Sequence, residues 1–434
     1  MKEIKIQNVD EIIYHEECEN GLQIYLWPNP KVRSFYATLN VRYGSNDIEY
    51  KIKGKKNIIK TPTGIAHFLE HQNFTESDGS SVFEYFSRLG SSINAFTTYD
   101  YTAYEVSGSN HFKENITHLL DYVSSPYFTK ATIKKEKGII IEEIKMCNDR
   151  PGTQIYHALN KCLFKKDPTK IPIIGTIEDV KNTTLEDIKN VYETFYHPQN
   201  MFLVITGNFN VQETLAIIKE NQAQKQWTEY TFPERKKYKE PISVACHFQE
   251  LYQNIKIPKL TLAYKLDRKI FAEYKRQELF PYLMIILRKN FGGSSLLREE
   301  LIKNELITGG LHFDLEIEDD YIIIVFQTET DYPNEIVKTL REKMNNLEID
   351  ESTIRRRKKV NIASNALKYD DIDQINQKIQ NAIIKYKEIS TNDYEIFSKL
   401  NIETANKIVG KLKPTNEVII IAYPLDQKNA KKEN

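Results

Sequence analysis

Thr61-Pro-Thr-Gly-Ile-Ala-His-Phe-Leu-Glu-His-Gln-Asn-Phe74 is the stretch from which the rest of the chain can be read. Thr61 followed by Pro62 reads as an N-cap with proline at the first helical position. No helix breaker follows Gly64, so the spacing predicts a helix. His67, Glu70 and His71 stand at i, i+3 and i+4 and share one face, while Ile65, Phe68 and Leu69 form an apolar stripe roughly opposite. Such a helix would be buried on one side, with its His/Glu side lining a cavity. Two neutral imidazoles one turn apart can take two vertices of a zinc tetrahedron, and a carboxylate beside them can take a proton from the water that the metal polarises. The plainer alternative is a satisfied surface pair. The order is HxxEH, the inversion of the HExxH of the commonest zincins.

A zinc site of this kind needs a third protein ligand, and Ala131 to Met146 supplies an acidic, largely helix-forming stretch in which Gly138 is the weak position. Glu136 and Glu143 are seven residues apart and return to nearly the same face, whereas Glu142 points about a third of a turn away. Glu143 is therefore the candidate third ligand, and Glu136 the acid that hydrogen-bonds a ligand or the water from behind. Glu142 is the comparison, a charge facing solvent or Lys145.

With these residues in hand, the sequence resembles the M16 (insulinase, or pitrilysin-like) metallopeptidases, and most of all their short bacterial processing-protease-type members. The match extends through Arg42-Tyr-Gly-Ser45, Leu89-Gly-Ser-Ser-Ile-Asn-Ala-Phe-Thr-Thr98, Ile173-Ile-Gly-Thr-Ile-Glu178 and Tyr196-His-Pro-Gln-Asn-Met-Phe-Leu-Val-Ile-Thr-Gly207, in family order over most of residues 35 to 210. The resemblance implies one zinc per chain held by His67, His71 and Glu143, with Glu70 as general base and Glu136 as the acid preceding the third ligand. It also implies that the strand carrying Asn94 and Ala95 pairs with the substrate backbone. Recognition by strand addition is tolerant of sequence, because backbone hydrogen bonds do not depend on side chains.

At 434 residues the chain is long enough for two or more domains, each with a real core. Lys plus Arg and Asp plus Glu are 60 each, a balance that recommends neither a nucleic-acid nor an anionic-membrane partner. Cys18, Cys147, Cys162 and Cys246 are scattered and form no CxxC. They fit a reduced compartment without ruling out a disulfide. The N-terminal residues hold no apolar stretch of signal length and no run of eighteen apolar residues occurs, so the expected location is cytoplasmic. His15, His111, His118, His157, His197, His247 and His312 have no partner at ligand spacing and read as ordinary surface or core residues.

Along the chain, a hairpin is predicted around Asn20-Gly21, a strand over 34–41, a basic loop over 49–60, and a helix from Ser81 closed by Gly90. The first domain is expected to span 1–225 and to carry the zinc site. Residues 226–240, polar and interrupted by Pro233, read as a linker, and 241–434 as a second domain without a metal site. In that half the order of elements begins again: Leu412-Lys-Pro-Thr-Asn-Glu-Val-Ile-Ile-Ile-Ala422 echoes Tyr196 to Thr206, proline, one residue, asparagine, one residue, buried strand. An internal duplication explains this. The expected fold is α+β, two structurally similar domains of a duplicated M16/LuxS-like metallopeptidase type enclosing a central cavity.

The reaction these residues suggest is hydrolysis of peptides or small unfolded polypeptides. One departure stands out. Active M16 members carry, in the C-terminal half, an Arg and a Tyr seven residues apart. In Gly292-Gly-Ser-Ser-Leu-Leu-Arg-Glu-Glu-Leu-Ile-Lys-Asn-Glu-Leu-Ile-Thr-Gly309 those places fall on Ile302 and Gly309, with Arg298 one turn early. A non-catalytic scaffold of the same fold is thus one alternative. Another is a subunit with little activity alone that pairs with a homologous M16-like chain, a second copy of itself being the runner-up partner.

Overall fold

A computed structural model of the chain describes residues 1–55, 57–76 and 79–430. Two compact units emerge, and they are not consecutive halves. The first is built from 1–145, 172–237 and 365–393, the second from 146–171, 238–364 and 394–434. The chain passes from the first to the second unit at Lys237–Tyr238, inside the stretch read as a linker. That stretch is anchored along its length: Tyr230 stacks on His197, Glu234–Arg235 pair as a short strand with Tyr50–Lys51, and Glu240 is buried against Lys265.

The first unit holds a seven-stranded sheet. In spatial order its strands are Lys2–Ile6, Glu11–Glu17, Gln23–Pro28, Met201–Gly207, Phe35–Val41, Thr102–Gly108 and Ser92–Thr97. The hairpin forms around Gly21 at φ +89°. The segment 49–60, expected to be a loop, contributes strands Glu49–Lys51 and Ile58–Lys60 to a small three-stranded sheet with Glu234–Arg235. Buried Tyr50 in that segment packs edge-on against Phe195, which gives this otherwise basic stretch a reason to be ordered.

The second unit holds a five-stranded sheet in the order Phe248–Gln253, Glu417–Pro424, Lys259–Asp267, Tyr321–Glu329 and His312–Ile317. Its first pair is parallel and the remaining three are antiparallel. The same sequence of one parallel and three antiparallel pairs runs through Gln23–Pro28, Met201–Gly207, Phe35–Val41, Thr102–Gly108 and Ser92–Thr97. The two Pro-x-Asn echoes lead directly into topologically equivalent strands, Met201–Gly207 and Glu417–Pro424. The duplication read from sequence is therefore a duplication of strand order.

Each sheet has one face covered by a helix from the other half of the sequence. Helix Ile372–Tyr386 buries Ile375, Ile379 and Ile383 against Trp27, Phe202 and Val204 of the first sheet. Helix Pro151–Leu163 buries Ile155, Leu159 and Leu163 against Ala263, Ile323 and Ile420 of the second. Proline at the first turn starts the latter helix at Pro151. At its end Cys162 is disulfide-bonded to Cys246, with Cα atoms 4.6 Å apart. The sequence left a disulfide open beside a reduced compartment, and this pair takes it: the N–H groups of Ala245 and Cys246 bond the Cys162 carbonyl and bring the second sulfur alongside. Among the described residues no helix is long and apolar enough to cross a membrane.

Candidate metal centre

The central helix spans Ile65–Gln72, shorter than its sequence predicts. Thr61 and Pro62 do not cap it, because Gly64 takes the left-handed conformation at φ +79° and stands as the N-cap. Gly175, from the stretch 173–178, has the same φ and crosses Gly64 face to face. Thr63 is tied to this loop through Asp179. Ile65, Ala66, Phe68 and Leu69 are buried, so the apolar stripe is fixed in the core. The face bearing His67, Glu70 and His71 is thereby held toward the long helix Lys130–Asn148 and the strand Ser92–Thr97.

His67, His71 and Glu143 converge. Glu143 places one carboxylate oxygen 3.8 Å from His67 Nε2 and the other 3.5 Å from His71 Nε2, and one donor atom from each residue lies within 4.8 Å of the other two. A tetrahedral zinc with bonds of roughly 2.0–2.1 Å sets its ligands about 3.4 Å apart, so this set of donors suits such an ion with small adjustments. It is the only group of three or more such side chains among the described residues. Glu136 is buried and sets Oε2 3.4 Å from His71 Nδ1, the carboxylate-histidine arrangement that fixes a ligand's tautomer. Glu142 turns outward and pairs with Lys145 at 2.7 Å.

Burial governs the electrostatics. It pushes the Glu70 carboxyl up to about 7, although the Thr97 hydroxyl donates to Glu70 Oε2 at 2.6 Å and pulls the other way. His67 is driven down to about 4 by burial and by the charge of His71. For His71 burial also lowers the value, but its bonds to Glu136 and Glu143 outweigh that and carry it up to about 9. The carboxylates thus hold one positive charge within the cluster, the charge a divalent cation would take over as that proton leaves.

The strand Ser92–Thr97 is the edge of its sheet, so one side of its backbone is open to a further strand. Asn94 is exposed and its side-chain amide bonds Glu105 at 3.0 Å. Ala95 is half-buried on the core side. Thr97 lies two residues beyond Ala95 on that same face, which is how it reaches Glu70. It was not singled out from sequence, though strand alternation places it there. Nothing in the sequence signals the buried chain beneath, where Asn73 donates to the Tyr104 hydroxyl at 2.6 Å and Tyr104 meets the Tyr196 hydroxyl at 2.8 Å.

The other histidines are engaged elsewhere. His15 bonds Gln23, His118 pairs with Glu76, and His197 and His247 meet the carbonyls of Thr228 and Glu417. In the second unit Ile302 is an exposed side chain on the helix Leu296–Lys303, Gly309 faces open space, and Arg298 caps the Gly293 carbonyl at 3.1 Å.

Comparison with known proteins follows the same lines. Residues 59–177 match the family described as insulinase (peptidase family M16), and residues 182–359 match the peptidase M16 inactive domain. An uncharacterized zinc protease of Bacillus subtilis, YmfH, is 34% identical over 342 residues, covering 78% of this chain and 79% of its own. A crystal structure of an M16-like peptidase from Alicyclobacillus acidocaldarius superposes with a TM-score of 0.88 at 28% identity, over 96% of this chain and 99% of that one. A protease structure from Helicobacter pylori shares the fold with a TM-score of 0.79 at 20% identity, over 95% and 99% of the two chains.

Proposed function

The chain belongs to the M16 (insulinase) peptidase family, and from that membership we propose that it is a zinc-dependent endopeptidase acting on peptides or small unfolded polypeptides. The observation that carries the reading is the convergence of His67, His71 and Glu143, with buried Glu70 beside them on the same helix face. Zinc, when bound there, supplies Lewis acidity that lowers the pKa of water and polarises a carbonyl. Glu70 would take the proton of the attacking water and return it to the leaving amine, and a carboxyl that burial raises to about 7 suits both transfers. Thr97 orients the carboxylate, Glu136 orients His71, and the open edge of Ser92–Thr97, with Asn94 and Ala95, would hold the peptide backbone. The test is cleavage of a mixed peptide library by zinc-loaded wild type and Glu70→Gln protein. The variant should keep its metal and lose at least about two orders of magnitude in rate, and unchanged turnover would remove Glu70 from its role.

A second reading has its own observation. Where the family leads one to expect an Arg and a Tyr, Ile302 is an exposed side chain and Gly309 has none. This favours a subunit that takes those donors from a homologous M16-like partner, with a homodimer as runner-up.

A further inference from the structure

The second unit repeats the helices that carry the metal-binding residues in the first. Arg276–Phe291 follows its central strand Lys259–Asp267 as Ile65–Gln72 follows Phe35–Val41. The long helix Glu351–Leu367 precedes the segment given to the other unit, as Lys130–Asn148 does. These two helices carry no metal ligands. They bring Arg288, in the last turn of one, and Arg357, on the other, to a single cleft of about 630 Å³, together with His312, Asp314 and Gln327.

The cleft is net positive, with two arginines against one acid. Among the described residues neither Arg288 nor Arg357 has an ion-pair partner, and Asp350, near the start of the Arg357 helix, is engaged by Lys289 at 2.9 Å. Asp314 is the one acid lining the cleft, exposed on the strand. Burial, and then the charges of Arg288 and Arg356, press the Arg357 guanidinium below its ordinary value. Two guanidiniums against the single exposed carboxylate of Asp314 leave the space net positive and form a receptor for a further carboxylate, whose two oxygens match their paired donors. His312 belongs to His312–Ile317, the edge strand of this sheet, so the cleft opens beside unpaired backbone.

We propose that this cleft binds a carboxylate of a peptide laid against the edge strand His312–Ile317, with Arg288 and Arg357 as its two clamps. That the ligand is a peptide rests on the peptidase reading, and the test separates the two. Binding of a fluorescein-labelled decapeptide to the full Glu70→Gln chain is followed by anisotropy, comparing a free C-terminus, a C-terminal amide, and a peptide whose Asp and Glu are changed to Asn and Gln. One of the two carboxylate removals should weaken binding about tenfold or more and so identify the source. Arg357→Gln and, on a separate helix, Arg288→Gln should each erase that difference, while Arg298→Gln should not. Equal affinity for all three peptides, or a preference that survives both arginine variants, overturns the proposal. If wild-type protein cleaves peptides yet shows no such preference, the cleft is no carboxylate site and the peptidase stands. If it cleaves nothing but binds acidic peptides through Arg288 and Arg357, the cleft stands and the peptidase falls.

Discussion

Gly64 and Gly175 cross so closely that a Cβ built on either would lie 2.8 Å from the other's Cα, and both have φ of +79°. The crossing sets the start of the helix that carries His67, Glu70 and His71, since Gly64 is its N-cap, and it joins two stretches far apart in sequence. A side chain at either place meets two costs, about 1–2 kcal/mol for a left-handed backbone and about 1–3 kcal/mol for overlap in a packed site. Gly175→Ala is therefore expected to lower stability by at least about 2 kcal/mol and to reduce zinc content, measured by urea unfolding and metal analysis. A wild-type midpoint would show that the crossing does not hold the helix.

Metal content discriminates the acids of the long helix. His67→Ala, His71→Ala and Glu143→Ala should each drop bound zinc from about one per chain to near none, because each removes a converging donor. Glu142→Ala should leave it unchanged, since Glu142 faces Lys145. Full occupancy in folded Glu143→Ala protein would take Glu143 off the ligand list.

The fold class and the repeated strand order were legible in the sequence. Helical periodicity also put His67, Glu70 and His71 on one face and Glu136 and Glu143 on another, because helix faces are set by local geometry. The start of the first helix was not legible, since Gly64 answers to Gly175 and not to the preferences of Thr61 and Pro62. Thr97 was hidden for a related reason: its role depends on a strand packing against a helix. The composition of the two units was hidden too. Helices Pro151–Leu163 and Ile372–Tyr386 look like ordinary amphipathic helices in sequence, and periodicity does not say which sheet an apolar face will cover.

Lys265 and Glu240 test the second unit. Their side chains are 0% and 2% exposed and 2.8 Å apart. Glu240 also accepts the N–H groups of Lys165, Lys166 and Asp167, and Lys265 donates to the Leu163 carbonyl. Lys265→Met leaves a buried carboxylate without its counter-charge and should cost about 3–5 kcal/mol. The pH dependence follows from Glu240. Burial raises its carboxyl, but Lys265 and the three N–H groups outweigh burial and hold it below the ordinary value. A depressed carboxylate contributes stability above its unfolded value, near 4.3, and loses it as pH falls through the folded one. The gap in urea midpoint between wild type and Glu240→Gln should be widest at neutral pH and should narrow below pH 4. A gap that stayed constant on acidification would assign the difference to packing alone.

The last prediction turns on the bare positions in the second unit. If His67, His71 and Glu143 hold the metal as proposed, then Ile302 and Gly309, where an Arg and a Tyr are expected, would leave the chain to gain most from a partner able to supply donors to an oxyanion. A second copy brings another Ile302 and Gly309, so self-association supplies nothing new in chemistry; a distinct homologue that keeps the Arg/Tyr element does. Purified alone, the chain should bind zinc and cleave peptides slowly. Adding such a homologue should raise the rate and roughly double the mass seen by light scattering. The counter-argument is that metal and backbone N–H groups suffice, in which case the lone chain would turn over peptides at ordinary protease rates, on the order of 1 per second. That rate, with no gain from the homologue, would remove the need for a partner and make the departure at Ile302 and Gly309 harmless.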